Sequence, residues 1–442
     1  MSNSQTGFVL PGRHTNAIIY DTSREDKNGF EQRPDTRFKA PWNVIICKVQ
    51  GPISHGKKVR KISPRGRIVK KAFRKLFSEL TIPLILLYSK VYKYKADEHP
   101  ETRNTLIIDF SNIGDFLRIT PVVRELKLNN PNAELFLLTV KSNGPLIREN
   151  RYLTDVFFFK NKFINMFDII HFIKAVRKKA LSFSTCLCYC VNGEHVLVSR
   201  IICRLLGIGD TYFANELSKN FTEGAVSRNI RLLKEYDPAS NVRSLKKDVY
   251  IDPVISERVQ TRLNSNGPVI GIHPGGVGYY SYNVSKLWDI GHFSELIKLL
   301  ISEYPNSKIY LTGDESDVSI CDSLASEMND TRVVTLAGTT SLDELVALIN
   351  HFNLYITNDT GVFHIADAVG INVICITGPT SFHILDETKS RYIKVFDGTC
   401  ELGPCVTIDG FTKCRNPCGQ VCLTQIKASE VLGYIVAERL LG

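Results

Sequence analysis

The chain has 442 residues with 55 Lys and Arg against 45 Asp and Glu, a formal net charge of +10, and is 43% hydrophobic and 23% charged. These proportions are those of a globular protein and exclude a largely disordered, collagen-like or coiled-coil chain, while the length suits two or three domains, each able to bury its own core. The positive excess points to an anionic partner, with nucleic acid and a membrane surface as first candidates.

In chain order, the first 100 residues differ from the rest. Met1–Asp26 is polar, with no basic leader and no small-residue cleavage site, so no signal peptide is expected. Lys57–Lys75 holds ten Lys and Arg and no acid, leaving 45 basic and 45 acidic residues elsewhere. The imbalance is therefore local. From Arg67 to Leu80, Ile68, Val69, Ala72, Phe73, Leu76, Phe77 and Leu80 recur at helical spacing, with Lys70, Lys71, Arg74 and Lys75 on the other side. That pattern predicts a basic amphipathic helix, and the apolar, lysine-edged stretch continues to Lys95. Such a helix either lies on an anionic bilayer or packs on a neighbouring domain with its basic face in water. Both readings rank above nucleic acid. Ile82–Tyr88, interrupted by Pro83, is far short of the roughly 20 residues that span a bilayer. The protein is expected to be cytoplasmic, with its twelve cysteines reduced or metal-bound.

From Asn104 the chain alternates strands and helices. Strands are predicted at Thr105–Phe110, Glu134–Val140, Asp155–Phe159 and Thr185–Val191, with helices at Phe116–Leu128, Met166–Lys179 and His195–Leu206. Asp252–Pro268, polar and rich in Pro, Asn and Gly, reads as a junction. A second set follows: strands at Val269–His273, Lys308–Thr312, Arg332–Leu336, Leu354–Thr357 and Asn372–Thr377. Helices are expected within Trp288–Tyr304 and around Ser316–Met328, Leu342–Asn350 and Val362–Val369. Alternation of this kind predicts two parallel, doubly wound α/β domains facing a cleft. The expected domains are an extension over 1–100, a first Rossmann-like domain over 101–255, a second over 256–427, and a helix over 428–442 returning to the first domain.

Open α/β sheets bind ligands beyond the carboxyl ends of their strands, so the loops there hold the candidate site. After the first strand, Ser-Asn-Ile-Gly114-Asp115 places a carboxylate at the cleft, either as a general base or as a helix N-cap. In the second set, His273-Pro-Gly275-Gly276 lets backbone N–H groups approach a phosphate. Lys286, two residues before Trp288, can neutralise a phosphate or be a solvated side chain beside a core Trp. Asn358-Asp359-Thr360-Gly361 opens a helix whose N-terminus favours an anion, with His364 one turn in. Capping by Asp359 or Thr360 and a core histidine account for the same residues. Gly378-Pro-Thr380-Ser381 can complete the pocket wall.

Taken together and in order, these loops resemble glycosyltransferase family 9, the lipopolysaccharide heptosyltransferase family. The resemblance is carried by LIIDFSNIGDFLRITP, IGIHPGG, SKLW, LTGDESD, LAGTTSLDELVALI, NDTGVFHIADAVG and GPTS, and covers roughly Asn104–Gly442. It implies a GT-B fold and inverting transfer of a sugar, such as heptose from ADP-heptose, to a lipid-linked glycan such as lipopolysaccharide core. It implies Asp115 as catalytic base, Lys286 on the donor phosphates and Asp359 on donor sugar hydroxyls. Thr360, Gly361, His364, Gly275 and Gly276 complete the donor site by the same resemblance. No cofactor and no catalytic metal are implied; the nucleotide-diphosphate sugar is the donor substrate. Leu287 stands where the family often carries Arg, and Val362-Phe363 replace the usual pair before the histidine. The readings kept beside this one are a related transferase with another donor, serving a capsule or glycoprotein, and a catalytically silent protein that reads a glycan or lipid surface. The basic segment, over residues 57–95, then reads as an anchor on the inner face of the cytoplasmic membrane.

Cys400, Cys405, Cys414, Cys418 and Cys422 fall within 23 residues. Their thiolates can bind zinc or an iron–sulfur cluster, although the spacing is not that of paired CxxC motifs. A reduced or bridged structural loop is the alternative. Cys186, Cys188 and Cys190 alternate along one strand and are expected as buried, inert thiols.

Overall fold

The computed structural model describes residues 17–18, 47–48, 104–217, 223–276, 286–380, 393–397, 400–407, 410–411, 414–416 and 419–441. The basic segment and the amphipathic helix expected over residues 57–95 lie outside the described residues, as does Cys418. In the N-terminal unit, Ala17–Ile18 pairs antiparallel with Cys47–Lys48. No described helix is long and apolar enough to cross a membrane.

The larger unit contains two parallel sheets. The first is built from β1 (Asn104–Ile108), β2 (Glu134–Val140), β3 (Asp155–Phe159), β4 (Thr185–Cys188) and β5 (Asp210–Phe213), in the order β3-β2-β1-β4-β5. All five residues of β1 are buried, as a central strand covered on both faces requires. After β1 the chain forms α1 (Ile113–Leu117) and α2 (Thr120–Asn129), where the sequence pattern predicted one helix. The cause of the break is Pro121, which has no N–H to donate to the carbonyl of Leu117. The Thr120 hydroxyl takes that carbonyl instead, at 2.8 Å. Helices α3 (Met166–Lys178), α4 (Gly193–Leu206) and α5 (Ala225–Tyr236) complete the layers. Helix α5 and strand β5 were not anticipated.

The second sheet comprises β6 (Val269–His273), β7 (Lys308–Leu311), β8 (Val333–Thr335), β9 (Leu354–Asn358), β10 (Asn372–Thr377) and β11 (Ile393–Asp397), in the order β8-β7-β6-β9-β10-β11. Its helices are α6 (Pro253–Gln260), α7 (Ile290–Glu303), α8 (Val318–Met328), α9 (Leu342–Asn350), α10 (Gly361–Val369) and α11 (Ala428–Ala437). Both sheets are thus doubly wound, with strand order reversing between β1 and β4 and between β6 and β9. Ligand crevices form at those two points.

Two expectations are corrected. The junction placed over Asp252–Pro268 contains α6, whose start is fixed by the Asp252 carboxylate accepting from Val254 and Ile255 and by Pro253 at the first position. The boundary drawn at 255/256 therefore cuts a helix. The final helix, expected to return to the first domain, instead packs on α7. Val431 and Ile435 join Leu296, Leu300 and Ile270 in one buried cluster, and Trp288 Nε1 donates to the Ile426 carbonyl at 3.0 Å. Each such aliphatic side chain contributes about 1.5–3 kcal/mol by burial, and the ten-residue helix buries Ala428, Val431 and Ile435 here.

The two domains are joined by a continuous apolar cluster. It runs from Phe116, Val123 and Val226 to Val346, Phe363 and Ile365, so the facing helices bury one shared apolar surface. Arg124 ties the linker to the first domain through the carbonyls of Ser244 and Lys246, and buried Lys247 pairs with Asp367 of α10.

Candidate active site

The loop after β1 and the start of α10 meet directly. A Cβ added at Gly114 would stand 2.6 Å from His364 Cδ2 and 3.6 Å from the Gly361 Cα, so only glycine permits this approach of the two helices. Asp115 lies in the first turn of α1, beyond the N-cap Asn112, and is 62% exposed. The capping reading of Asp115 does not hold. Its Oδ1 instead accepts from Arg118 Nη1 at 2.6 Å, and Arg118 Nη2 lies 3.1 Å from His364 Nε2. Arg118, which the sequence reading passed over, thus bridges the carboxylate of one domain and the imidazole of the other. The spacing of three residues within one helix was the available signal.

His364 is buried, and burial, then the charges of Arg118, Lys247 and Lys286, hold its pKa well below the usual imidazole value. It is neutral. Since a guanidinium only donates, Nε2 accepts and the ring proton sits on Nδ1, which has no hydrogen-bond partner among the described residues.

Asp359 does not cap α10 either. Its Oδ2 accepts from Lys286 Nζ and from Thr380 Oγ1, both at 2.5 Å, and all three groups are largely buried. The turn after β10 thus reaches Asp359 through Thr380. Thr360 makes no side-chain cap bond, so the first N–H groups of α10 keep their partial positive charge for a ligand.

The glycine loop behaves differently from expectation. Gly276, at φ +121°, is strained for any other residue, and its N–H donates to Asp317 Oδ1 at 3.1 Å. A Cβ at Gly275 would meet Asp317 Oδ1 at 2.1 Å. The loop is thus folded around Asp317, and the Gly276 N–H is engaged there. Asn358 holds it from the other side. Its amide donates to the carbonyls of Pro274 and Gly275 at 3.0 and 3.2 Å and accepts from the Trp288 N–H at 3.0 Å. One buried side chain therefore sets both the glycine loop and the segment bearing Lys286.

At the end of β1, buried Asp109 accepts from Ser111 Oγ at 2.6 Å. Burial pushes its carboxyl up to about 7, opposed by the Ser111 bonds and reinforced by the neighbouring charge of Asp115. Sequence reading did not single it out, because its strand position looked structural.

Among the cysteines, Cys186, Cys188 and Cys190 are buried, with burial raising the thiols of Cys186 and Cys190. In the C-terminal loop, burial and then the thiols of Cys400, Cys414 and Cys405 push Cys422 up to about 12. Among the described residues, no group of three or more His, Cys, Asp or Glu side chains is arranged to hold a metal ion.

The profile of glycosyltransferase family 9 (heptosyltransferase) matches residues 209–409. The chain is 27% identical over 342 residues to lipopolysaccharide heptosyltransferase 3 of Escherichia coli, covering 73% of this chain and 95% of that one. Among solved structures, ADP-heptose lipopolysaccharide heptosyltransferase II of E. coli superposes with a TM-score of 0.60 at 21% identity, over 76% of this chain and 98% of that chain. The E. coli heptosyltransferase WaaC with ADP-2-deoxy-2-fluoro heptose gives 0.52 at 17% identity, over 76% and 100%. At those identities the likeness establishes the fold, the two-domain GT-B architecture.

Proposed function

The chain belongs to glycosyltransferase family 9, and on that footing we propose that it transfers heptose from ADP-heptose to a lipid-linked glycan of the lipopolysaccharide-core type. The observation that carries the reading is the abutment of α1 on α10. It brings the exposed Asp115 carboxylate beside a helix N-terminus flanked by the Lys286–Asp359 pair.

The chemistry follows from those positions. Asp115 takes the acceptor hydroxyl proton as that oxygen bonds to the anomeric carbon, and the bond to the nucleotide diphosphate breaks on the opposite face. Arg118 fixes the Asp115 carboxylate while His364, neutral, supports Arg118 without adding a competing charge. Lys286, the Gly275 backbone and the uncapped N–H groups of α10 stabilise the negative charge that develops on the leaving diphosphate. Thr360 and Gly361 form that terminus, and Gly276 shapes the loop beside it. Asp359 positions Lys286 and, in this reading, accepts from donor sugar hydroxyls, as the family resemblance implies. Relatives named as lipopolysaccharide and lipooligosaccharide heptosyltransferases support heptose as the donor sugar and a lipid-linked acceptor. Such an acceptor puts the enzyme at the inner face of the cytoplasmic membrane, with residues 57–95 as an anionic-lipid anchor.

A donor panel tests the assignment. Purified protein is offered ADP-, GDP- and UDP-sugars together with a heptose-bearing core oligosaccharide, and products are weighed by mass spectrometry. ADP-heptose alone should add one heptosyl residue. Transfer from a UDP- or GDP-sugar instead assigns the fold to another glycan, and no transfer from any donor supports a silent binding protein.

A further inference from the structure

Exposed apolar side chains are unevenly spread over the described residues. Of ten large hydrophobic side chains that stand exposed, five belong to the segments following β3 and β4: Phe163, Phe167, Ile170, Val191 and Leu197. Phe163 and Phe167 are 64% and 73% exposed. Folding gives no reason for this, because α3 already buries Ile169, Phe172, Ile173 and Val176 on its inner side.

On the outer side of α3, Phe167, Ile170, His171, Lys174 and Lys178 recur at steps of three and four residues. They form one stripe, apolar at the start of the helix and basic at its end. Residues 160–179 contain six Lys and Arg and a single acid, Asp168, which is engaged in a capping box with Asn165. The stripe begins at the carboxyl edge of the sheet, the edge that carries Asp115. Lys162 Nζ donates to Asn112 Oδ1 at 3.4 Å, and Asn112 is the N-cap of Asp115's own helix. His195 at the start of α4 donates to the Lys162 carbonyl at 3.0 Å, joining the two exposed segments.

We propose that this face of the first domain is a docking surface for an anionic lipid bilayer. The phenylalanines enter the headgroup boundary and the lysines meet the lipid phosphates. A second copy of the chain would oppose one strongly basic stripe to another, whereas an anionic leaflet supplies the complementary charge. The proposal rests on the reading of the acceptor as lipid-linked and adds where it is presented. A bilayer seated on this face holds the acceptor sugar next to the Asp115 loop, so docking and catalysis share one edge. It draws on residues other than the 57–95 segment proposed as an anchor.

The test uses full-length protein and vesicles of phosphatidylethanolamine and phosphatidylglycerol. Phe167→Trp adds a local reporter to Trp42 and Trp288, the two native tryptophans. Its emission should shift to the blue on adding vesicles and be quenched by brominated lipid, beyond the wild-type change. The F163S/F167S/I170S variant should bind vesicles about 30-fold more weakly. Its apparent KM for vesicle-embedded acceptor should rise, while turnover of a water-soluble acceptor sugar stays at the wild-type level. Unchanged Phe167→Trp emission with vesicles overturns the proposal. So does a blue shift that appears without lipid as protein concentration rises, which assigns the face to a second copy. If the wild-type chain transfers no sugar, the assigned activity falls, and the fluorescence result judges the docking surface alone.

Discussion

Replacing Asp359 by Asn removes one charge from a buried pair and leaves its geometry nearly intact. Lys286 and Asp359 stand 2.5 Å apart with side chains 12% and 5% exposed. The Asn oxygen still accepts from Thr380, so the loss is the charge and not the hydrogen bond. Breaking a buried pair by removing one partner costs about 3–5 kcal/mol, because the remaining charge stays out of water. Over about 340 residues at about 2.1 cal/mol/K per residue, that is a Tm lowered by roughly 4–7 °C. The control Thr380→Val removes a single hydrogen bond and should cost only about 1 kcal/mol. Scanning calorimetry with and without ADP separates fold from site. If Lys286 lies on the diphosphate, ADP re-pairs the stranded ammonium and raises the Tm of the variant more than that of the wild type. A Tm within about 1 °C of wild type would refute the buried-charge argument. An ADP shift no larger than the wild-type shift would separate Lys286 from the phosphates.

Three further outcomes are expected. Gly114→Ala drives a Cβ to within 2.6 Å of His364 Cδ2, so the ring must move and Arg118 loses its partner. The cost in stability is about 1–3 kcal/mol, with a fall in kcat that ADP binding does not share; full turnover would contradict the contact. Asp109, raised to about 7, keeps its proton in the folded state while the unfolded carboxyl has lost it. Stability therefore falls as pH rises from about 4 to 7 and is level above, by as much as ~4 kcal/mol. In urea titrations Asp109→Asn should lack that slope, and an equal advantage over wild type at pH 5 and pH 8 would refute it. His364 is shifted the other way, held neutral by burial and its cationic neighbours. Its contribution is present above the ordinary imidazole pKa near 6.5 and lost as pH falls below it, so His364→Gln should flatten the acid limb of the stability profile.

Much of the fold was readable because periodicity and burial agree along these segments. Val269–His273, Leu342–Asn350 and Asn372–Thr377 have the bounds their apolar patterns gave. The misses have separate physical causes. Pro121 broke a helix whose apolar spacing runs on undisturbed. The start of α6 was written in Asp252-Pro253 but hidden by the polar composition around it. The last helix carries apolar residues whose packing partner no periodicity specifies; in the fold Val431 and Ile435 join the α7 cluster. For the site, Asp115, Asp359 and His364 could be singled out because each lies just beyond the carboxyl end of a strand that the apolar pattern marks. Arg118, Asn358 and Asp109 could not. Their roles arise from partners far away in the chain, as with Arg118 and His364, 246 residues apart, or from burial that a strand-end carboxylate does not advertise.

The central claim is that Asp115 removes the acceptor proton, and the most direct measurement is single-turnover transfer from ADP-heptose by Asp115→Asn beside ADP binding by calorimetry. The account predicts a rate lower by about 10²–10⁴-fold with ADP affinity unchanged, because in the proposed function Asp115 is the acceptor-side base and its carboxylate is held by Arg118 of its own domain. Transfer at the wild-type rate would contradict it.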